Sequence, residues 1–261
     1  MVLATYTLWL RDIVRFYRQR SRIVGALGSP IVFWLLLGSG LGESFRIESN
    51  VLLDGGYLEY FFTGTLALIV LFTAIFSTIS VIEDRSEGFL QSVLVAPVPR
   101  TAIVLGKILG GTTLAFIQAS VFLLLAPMAN IELSLVALPS LALVLVLMGF
   151  TVTGLGFLLA WSLNSTQGFH AIMNLLLIPM WLLSGAVFPA AGAAPWVQAI
   201  MIVNPMTYGV SALRTVLSGD PESIISLTGE PTIGVSVLFM IAFGMLVLGA
   251  DILAVRSNRT N

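Results

Sequence analysis

The sequence of 261 residues contains no cysteine, a single histidine and few charges: 10% of its residues are charged, against 57% apolar. Without thiols there can be no disulfide, no thiolate nucleophile and no Cys-ligated metal, and His170 alone cannot assemble a histidine metal site. An ordinary globular domain carries roughly 25% charged residues. The 12 basic and 13 acidic side chains here could not cover a body of 28.0 kDa in water. The same composition excludes a disordered chain and a nucleic-acid binder. A phosphate-binding loop of the form G-x-x-x-x-G-K-[ST] is missing too. The nearest fragment, Gly106-Lys107-Ile108, sits inside an apolar run and lacks the hydroxyl residue after lysine. Ser184 and His170 share one apolar run about 21 Å apart along a helix axis, so they cannot form a protease dyad. These absences argue against an enzyme and against ATP hydrolysis by this chain.

Long apolar runs are abundant. Six of them, 23–41, 58–82, 101–127, 138–163, 169–187 and 232–255, reach the length of roughly 20 residues that a helix needs to cross a bilayer. They are continuous rather than alternating, which predicts helices and not barrel strands. The expected fold is an all-α integral membrane protein, with a segment over 1–22 preceding a six-helix transmembrane domain over 23–261. A basic stretch ahead of the first run, and the length of that run, argue against a cleaved signal peptide.

The net charge of −1 hides an asymmetry. Arg11, Arg15, Arg18, Arg20, Arg22, Arg85, Arg100, Arg256 and Arg259 fall on one side of the predicted spans, and only Arg46 and Arg214 on the other. Glu43, Glu48, Asp54, Glu59, Glu132, Asp220, Glu222 and Glu230 occupy that second side. Basic residues mark the cytoplasmic side, so both termini are expected in the cytoplasm of a cell whose inner (plasma) membrane holds the chain. Lys107 and Asp251 remain within spans near the basic side, where lysine can snorkel and the two could pair. His170 reads as a plain interfacial residue.

On a helical wheel Arg11, Arg15, Arg18 and Arg22 share an arc of roughly 60°, with Tyr6, Trp9, Ile13 and Phe16 gathered opposite. This pattern predicts an amphipathic helix on the membrane surface, its arginines toward anionic lipid head groups or a partner protein. Between the second and third runs, Glu83, Asp84, Arg85, Glu87, Gly88, Phe89, Leu90, Gln91 and Leu94 precede Pro97 and Pro99. Acidic residues favour a helix start and prolines end one, so a short surface helix on which a soluble partner can push is expected here. Past the fifth run, Asn204-Pro205 is a strong helix start, with Met206, Val210, Leu213 and Leu217 on one face. The two pieces 195–203 and 205–218 are too short to span, so they should dip into or lie on the outer leaflet. Gly38-x-x-x-Gly42 and Gly106-x-x-x-Gly110 permit close helix approach.

Two of these regions resemble motifs of the permease subunits of ABC-2 type exporters, nearest the daunorubicin and multidrug branch, and the likeness covers nearly the whole chain. The first runs from Arg85-Ser86-Glu87-Gly88-Phe89-Leu90 through Pro97-Val98-Pro99-Arg100 to Gly106-Lys107. The second comprises Phe188-Pro189, Pro195-Trp196, Asn204-Pro205-Met206-Thr207-Tyr208 and Ala212-Leu213-Arg214, and resembles the outer re-entrant region. Phe89 stands where that family usually has threonine, and Gln91 where it usually has glutamate. The resemblance implies that Glu87, Gly88, Leu90, Gln91 and Leu94 sit in a cleft of a separate ATP-binding subunit. It also implies that the permease forms a homodimer with two such subunits, which supply ATP and Mg, while this chain needs no cofactor or metal of its own. Trp34, Phe72, Met180 and Trp181 are candidates for a substrate path. Few charges along such a path suit a hydrophobic or amphipathic cargo. Drug, lipid, polyketide, lipo-oligosaccharide and polysaccharide exporters share the motifs, and a stand-alone secondary transporter or channel is the remote alternative.

Overall fold

The computed structural model describes residues 1–40, 56–218 and 228–257, the side chains of 20–22 excepted. Every regular element among them is helical. Helices α1 (Val2–Arg18) and α2 (Arg20–Gly40) are separated only by Gln19. They are followed by α3 (Gly56–Ser77), α4 (Ile79–Ser86), α5 (Phe89–Val95), α6 (Arg100–Leu123), α7 (Leu138–Ser162) and α8 (Thr166–Trp181). The chain closes with α9 (Pro195–Val203), α10 (Pro205–Ser218) and α11 (Ile233–Ser257).

Six of the described helical stretches are long and apolar enough to cross a membrane: Ile23–Gly40, Gly56–Ser86, Arg100–Leu123, Leu138–Ser162, Thr166–Ala186 and Ile233–Ser257. They coincide with the six apolar runs to within a few residues. Chain hydrophobicity alone does not say which is central, because all six are apolar all round. The second span is the hub: 83% of its most apolar window is buried, against 22% for the first and sixth. It packs against the first, third, fourth and fifth spans and against α10. Phe61, Phe62, Leu66, Ile69 and Leu71 of α3 fill this core.

Local sequence fixes the ends. Pro99, Pro139, Pro195 and Pro205 stand at helix starts, where a missing N–H costs nothing. The Asn204 side chain accepts from the Met206 N–H at 3.0 Å, the cap expected of Asn-Pro. Pro179 loosens the fifth span, which ends in a π-helical stretch, Leu182–Ala186, with non-helical angles at Leu183 and Gly185. Gly38 abuts Leu58 of α3, and Gly42 lies outside the described residues. So do Glu43, Arg46, Glu48, Asp54, Asp220, Glu222 and Arg259. Helix α2 begins at Arg20, so residue 22 lies inside it.

The single surface helix expected over 83–95 is two elements. Glu83 and Asp84 occupy the last turn of α4, which continues the second span, instead of opening the next helix. Helix α5 starts only after Gly88, whose φ of 78° is left-handed and turns the chain sharply. Acids at a helix C-terminus are disfavoured by the macrodipole. Neighbouring cations from two other helices offset that cost.

Candidate functional site

Helix α1 lies across α6. A Cβ at Gly106 would stand 2.8 Å from Leu8 Cβ, and one at Gly110 3.3 Å from Asp12 Cβ, so the Gly-x-x-x-Gly pair is the seat of α1 and not a contact between spans. Trp9 Nε1 donates to Thr113 Oγ1 at 3.0 Å and fixes the register. Leu8, Asp12 and Phe16, spaced by four, form the buried stripe.

This crossing aims Arg11 and Arg15 inward, a correction to the expectation that they face lipid or a partner. Arg11 grips Asp84 with both ends of its guanidinium, at 2.6 and 2.8 Å. Arg15 reaches Asp84 at 2.7 Å, Glu87 at 2.9 Å and Glu83 at 3.1 Å. From α6, Lys107 donates to Asp84 at 2.6 Å, Asp12 at 2.9 Å and Ser80 at 3.1 Å. Lys107 therefore neither snorkels nor pairs with Asp251. Burial pushes the Asp12 carboxyl up despite Lys107, and the Asp84 hydrogen bonds hold the Arg11 guanidinium above its ordinary value. Arg18 alone of the wheel's described arginines is exposed, and the Arg22 side chain lies outside the described residues.

The cluster joins α1, α4 and α6 into one body, and α5 hangs from it. Leu90 is buried beneath α5, and the Arg11 guanidinium lies 3.7 Å from the centre of the Phe89 ring. Phenylalanine at this position thus supplies a cation–π seat that threonine could not. Arg85 points away, donating to the Trp161 and Leu163 carbonyls at 2.7 and 3.1 Å and to Asn164 at 2.9 Å, so that it closes the end of α7. Of the residues singled out for contact with a partner, Asp84 and Leu90 are buried, whereas Glu87, Gln91 and Leu94 are exposed, with Ser92 and Val95 beside them.

A cavity of about 780 Å³ opens between α2, the second span and α8. Phe16, Phe33, Phe72, Phe76 and Trp181 line it, with Glu83, Thr166 and His170 at the basic end. Of the four residues named as path candidates, Phe72 and Trp181 line this cavity. Trp34 does not: it is buried, donates to the Leu58 carbonyl at 3.1 Å and packs edge-on against Phe62 and Phe122. Met180 is not among the lining residues either; its carbonyl accepts from Asn204 at 2.6 Å. His170 is exposed, lines the cavity and lies tilted against the Phe76 ring at 5.6 Å.

At the opposite end Arg214 and Glu230, expected to face outward, form a buried ion pair. Arg214 also donates to the Gly185 carbonyl at 2.9 Å and lies 4.0 Å from the centre of the Tyr60 ring, while the Tyr60 hydroxyl donates to that carbonyl at 2.7 Å. Burial raises the Glu230 carboxyl, with Arg214 acting against it. Four elements meet here: the second span, the broken end of the fifth, α10 and the segment before α11. Tyr208 donates to Ile202 at 2.7 Å and ties α10 to α9, whose Trp196 is exposed; Pro189 precedes a single 3-10 turn. Asp251 is buried beside Gly154 with no hydrogen-bond partner among the described residues.

Sequence comparison decides the family. A model of the ABC-2 type transporter family matches residues 4–218. The chain belongs to that family. It is 27% identical over 253 residues to the putative transport permease ycf38 of Cyanophora paradoxa, covering 92% of this chain and 85% of that one. The ycf38 permease of Porphyra purpurea is 26% identical, covering 95% and 88%. Nodulation protein J of Rhizobium leguminosarum bv. viciae is 25% identical, covering 92% of each. This ABC-2 chain is accordingly a multi-pass membrane protein and a transport permease subunit.

Proposed function

We propose that the chain is the membrane half of an ATP-driven exporter of hydrophobic or amphipathic molecules, powered by two copies of a separate ATP-binding subunit docked at its basic, cytoplasmic end. The observation that carries this reading is the exposed patch formed by Glu87, at the end of α4, with Gln91 and Leu94 of α5, bound through Leu90, Phe89 and Arg15 to a cluster that spans α1, α4 and α6. A push on α5 reaches three helices, because the ion pairs of Asp84 with Arg11, Arg15 and Lys107 join α1, α4 and α6. Two permease copies moving as rigid bodies would then open a path at the dimer interface, near the cavity that spans one, two and five share. Helices α9 and α10 would lie in the outer leaflet around its exit.

The aromatic lining favours an apolar or amphipathic cargo over a glycan, whose many hydroxyls would need more donors and acceptors than Ser29, Thr73, Thr166, His170 and Glu83 provide. Co-reconstitution tests the reading. Liposomes holding the permease and its co-purifying ATP-binding subunit should accumulate a fluorescent amphiphile, rhodamine 6G, only when ATP is present. Equal uptake by the permease alone would overturn it in favour of a secondary transporter or channel.

A further inference from the structure

We infer that Asp251 is a proton-binding site within the membrane: a neutral carboxylic acid that seats the sixth span on the fourth and gives up its proton only when the two part. The carboxyl is 0% exposed, and neither of its oxygens has a hydrogen-bond partner among the described residues. It faces the bare backbone of Gly154 on α7. A Cβ added there would stand 3.4 Å from Asp251 Oδ2 and 2.8 Å from Val247 Cγ1, which leaves no room for a side chain that could serve the carboxyl. A carboxylate only accepts hydrogen bonds, whereas the acid form carries a hydrogen of its own. An ionised group in this place would lack water, donor and cation together, and a carboxyl so buried keeps its proton instead.

Helices α6, α7 and α10 pack on α11, and each of their cations is engaged elsewhere. Helix α7 carries no charged residue. Helix α10 carries Arg214, held by Glu230 and the Gly185 carbonyl, and Tyr208, whose hydroxyl is on the Ile202 carbonyl. From α6, Lys107 is committed to Asp12, Asp84 and Ser80, while Arg100 donates to the Val255 carbonyl and, at 3.2 Å, to that of Arg256. Arg256, on α11 itself, is exposed. The hydroxyls of α7 are engaged too: Thr151 donates to Leu147 at 2.8 Å and to Met240 at 3.3 Å, and Thr153 to Gly149 at 2.6 Å. Little else holds the sixth span, since only 22% of its most apolar window is buried and it meets α7 closely at Gly154 and Gly244. A bound proton therefore favours the packed arrangement, and a carboxylate formed there drives α11 away from α7.

The test compares the full-length wild-type chain in phosphatidylcholine nanodiscs with Asp251→Asn, which keeps the shape of the neutral acid. In neutral buffer the wild-type minus variant infrared spectrum should show the C=O stretch of a protonated carboxyl and no carboxylate bands. The Tm of the variant should lie within about 2 °C of wild type, because one neutral group replaces another. Carboxylate bands in the difference spectrum overturn the assignment. A large loss of Tm, or failure of the variant to fold, overturns it by revealing a carboxylate with a partner, and a large gain does so by revealing an unpaired charge. The seating role is read from Val247→Cys, a position buried in the same contact. Its labelling by N-ethylmaleimide should stay slow while the acid band persists and quicken as alkali removes that band. With Asp251→Asn added, labelling should stay slow over the same range. Equal quickening with and without Asp251→Asn overturns the seating role.

Discussion

Lys107 Nζ lies 2.6 Å from Asp84 and 2.9 Å from Asp12, with all three side chains buried where the third span crosses α1 and the end of the second. One ammonium thus holds together two carboxylates from different helices, and without it Asp12 would keep only the 3.8 Å contact of Arg11. Arg11 and Arg15 complete the cluster from the more exposed side.

Replacing Lys107 with methionine keeps the length of the side chain and removes its charge. Leaving two buried carboxylates short of a cation should cost about 3–5 kcal/mol, the usual penalty for breaking a buried pair. Thermal unfolding of the detergent-solubilised protein should show a large drop in Tm. The double variant Lys107→Met, Asp12→Asn should recover part of it.

The seat of α1 admits no side chain at Gly106. Gly106→Val should overpack the contact with Leu8 by about 1–3 kcal/mol and lift α1 from α6. Protease sensitivity of residues 1–19 would report the release. Gly25→Ala, whose added Cβ meets nothing within 4 Å, is the control and should behave as wild type.

Arginine at 214 makes two different contacts from one fork, to Glu230 and to the Gly185 carbonyl. Lysine offers a point charge instead of a planar fork, so Arg214→Lys should lose the Gly185 contact and lower Tm, and Arg214→Met should lower it further by leaving Glu230 buried alone. Tyr60→Phe removes only one hydrogen bond to the same carbonyl and should cost about 1 kcal/mol.

Glu87 is 57% exposed, and one of its contacts is to Arg15. Glu87→Arg should leave the protein folded and in the membrane but weaken recruitment of the ATP-binding subunit and abolish ATP-dependent transport. Wild-type transport by that variant would remove α5 from the coupling role.

The spans were legible in the sequence because crossing a bilayer demands long uninterrupted apolar runs, and the Asn204 cap was legible because Asn-Pro encodes it locally. The orientation of α1 was not. A helical wheel groups Arg11 with Arg15 but says nothing of what that face meets, and Asp84 lies 73 residues from Arg11 in the chain. Glu83 and Asp84 follow the rule for a helix start, yet they end a helix, because tertiary ion pairs outweigh a macrodipole term of roughly 0.3–1 kcal/mol. The Arg214–Glu230 pair left a trace, one charge of each sign flanking the break before the last span, that only the fold could join. Trp34 shows the reverse error: an aromatic in a span is as readily a packing residue as a lining one, and the hydrogen bond that fixes it goes to a backbone carbonyl.

The account turns on α5 as the place where energy enters, and the absence of native cysteine makes that directly measurable. Single cysteines at Gln91 or Leu94, and at Leu135 or Val136 on the opposite end, can be cross-linked in the complex with the co-purifying ATP-binding subunit. Cross-links from 91 and 94 and none from 135 and 136 are the predicted result. Cross-links from 135 or 136, with none from 91 and 94, would contradict it.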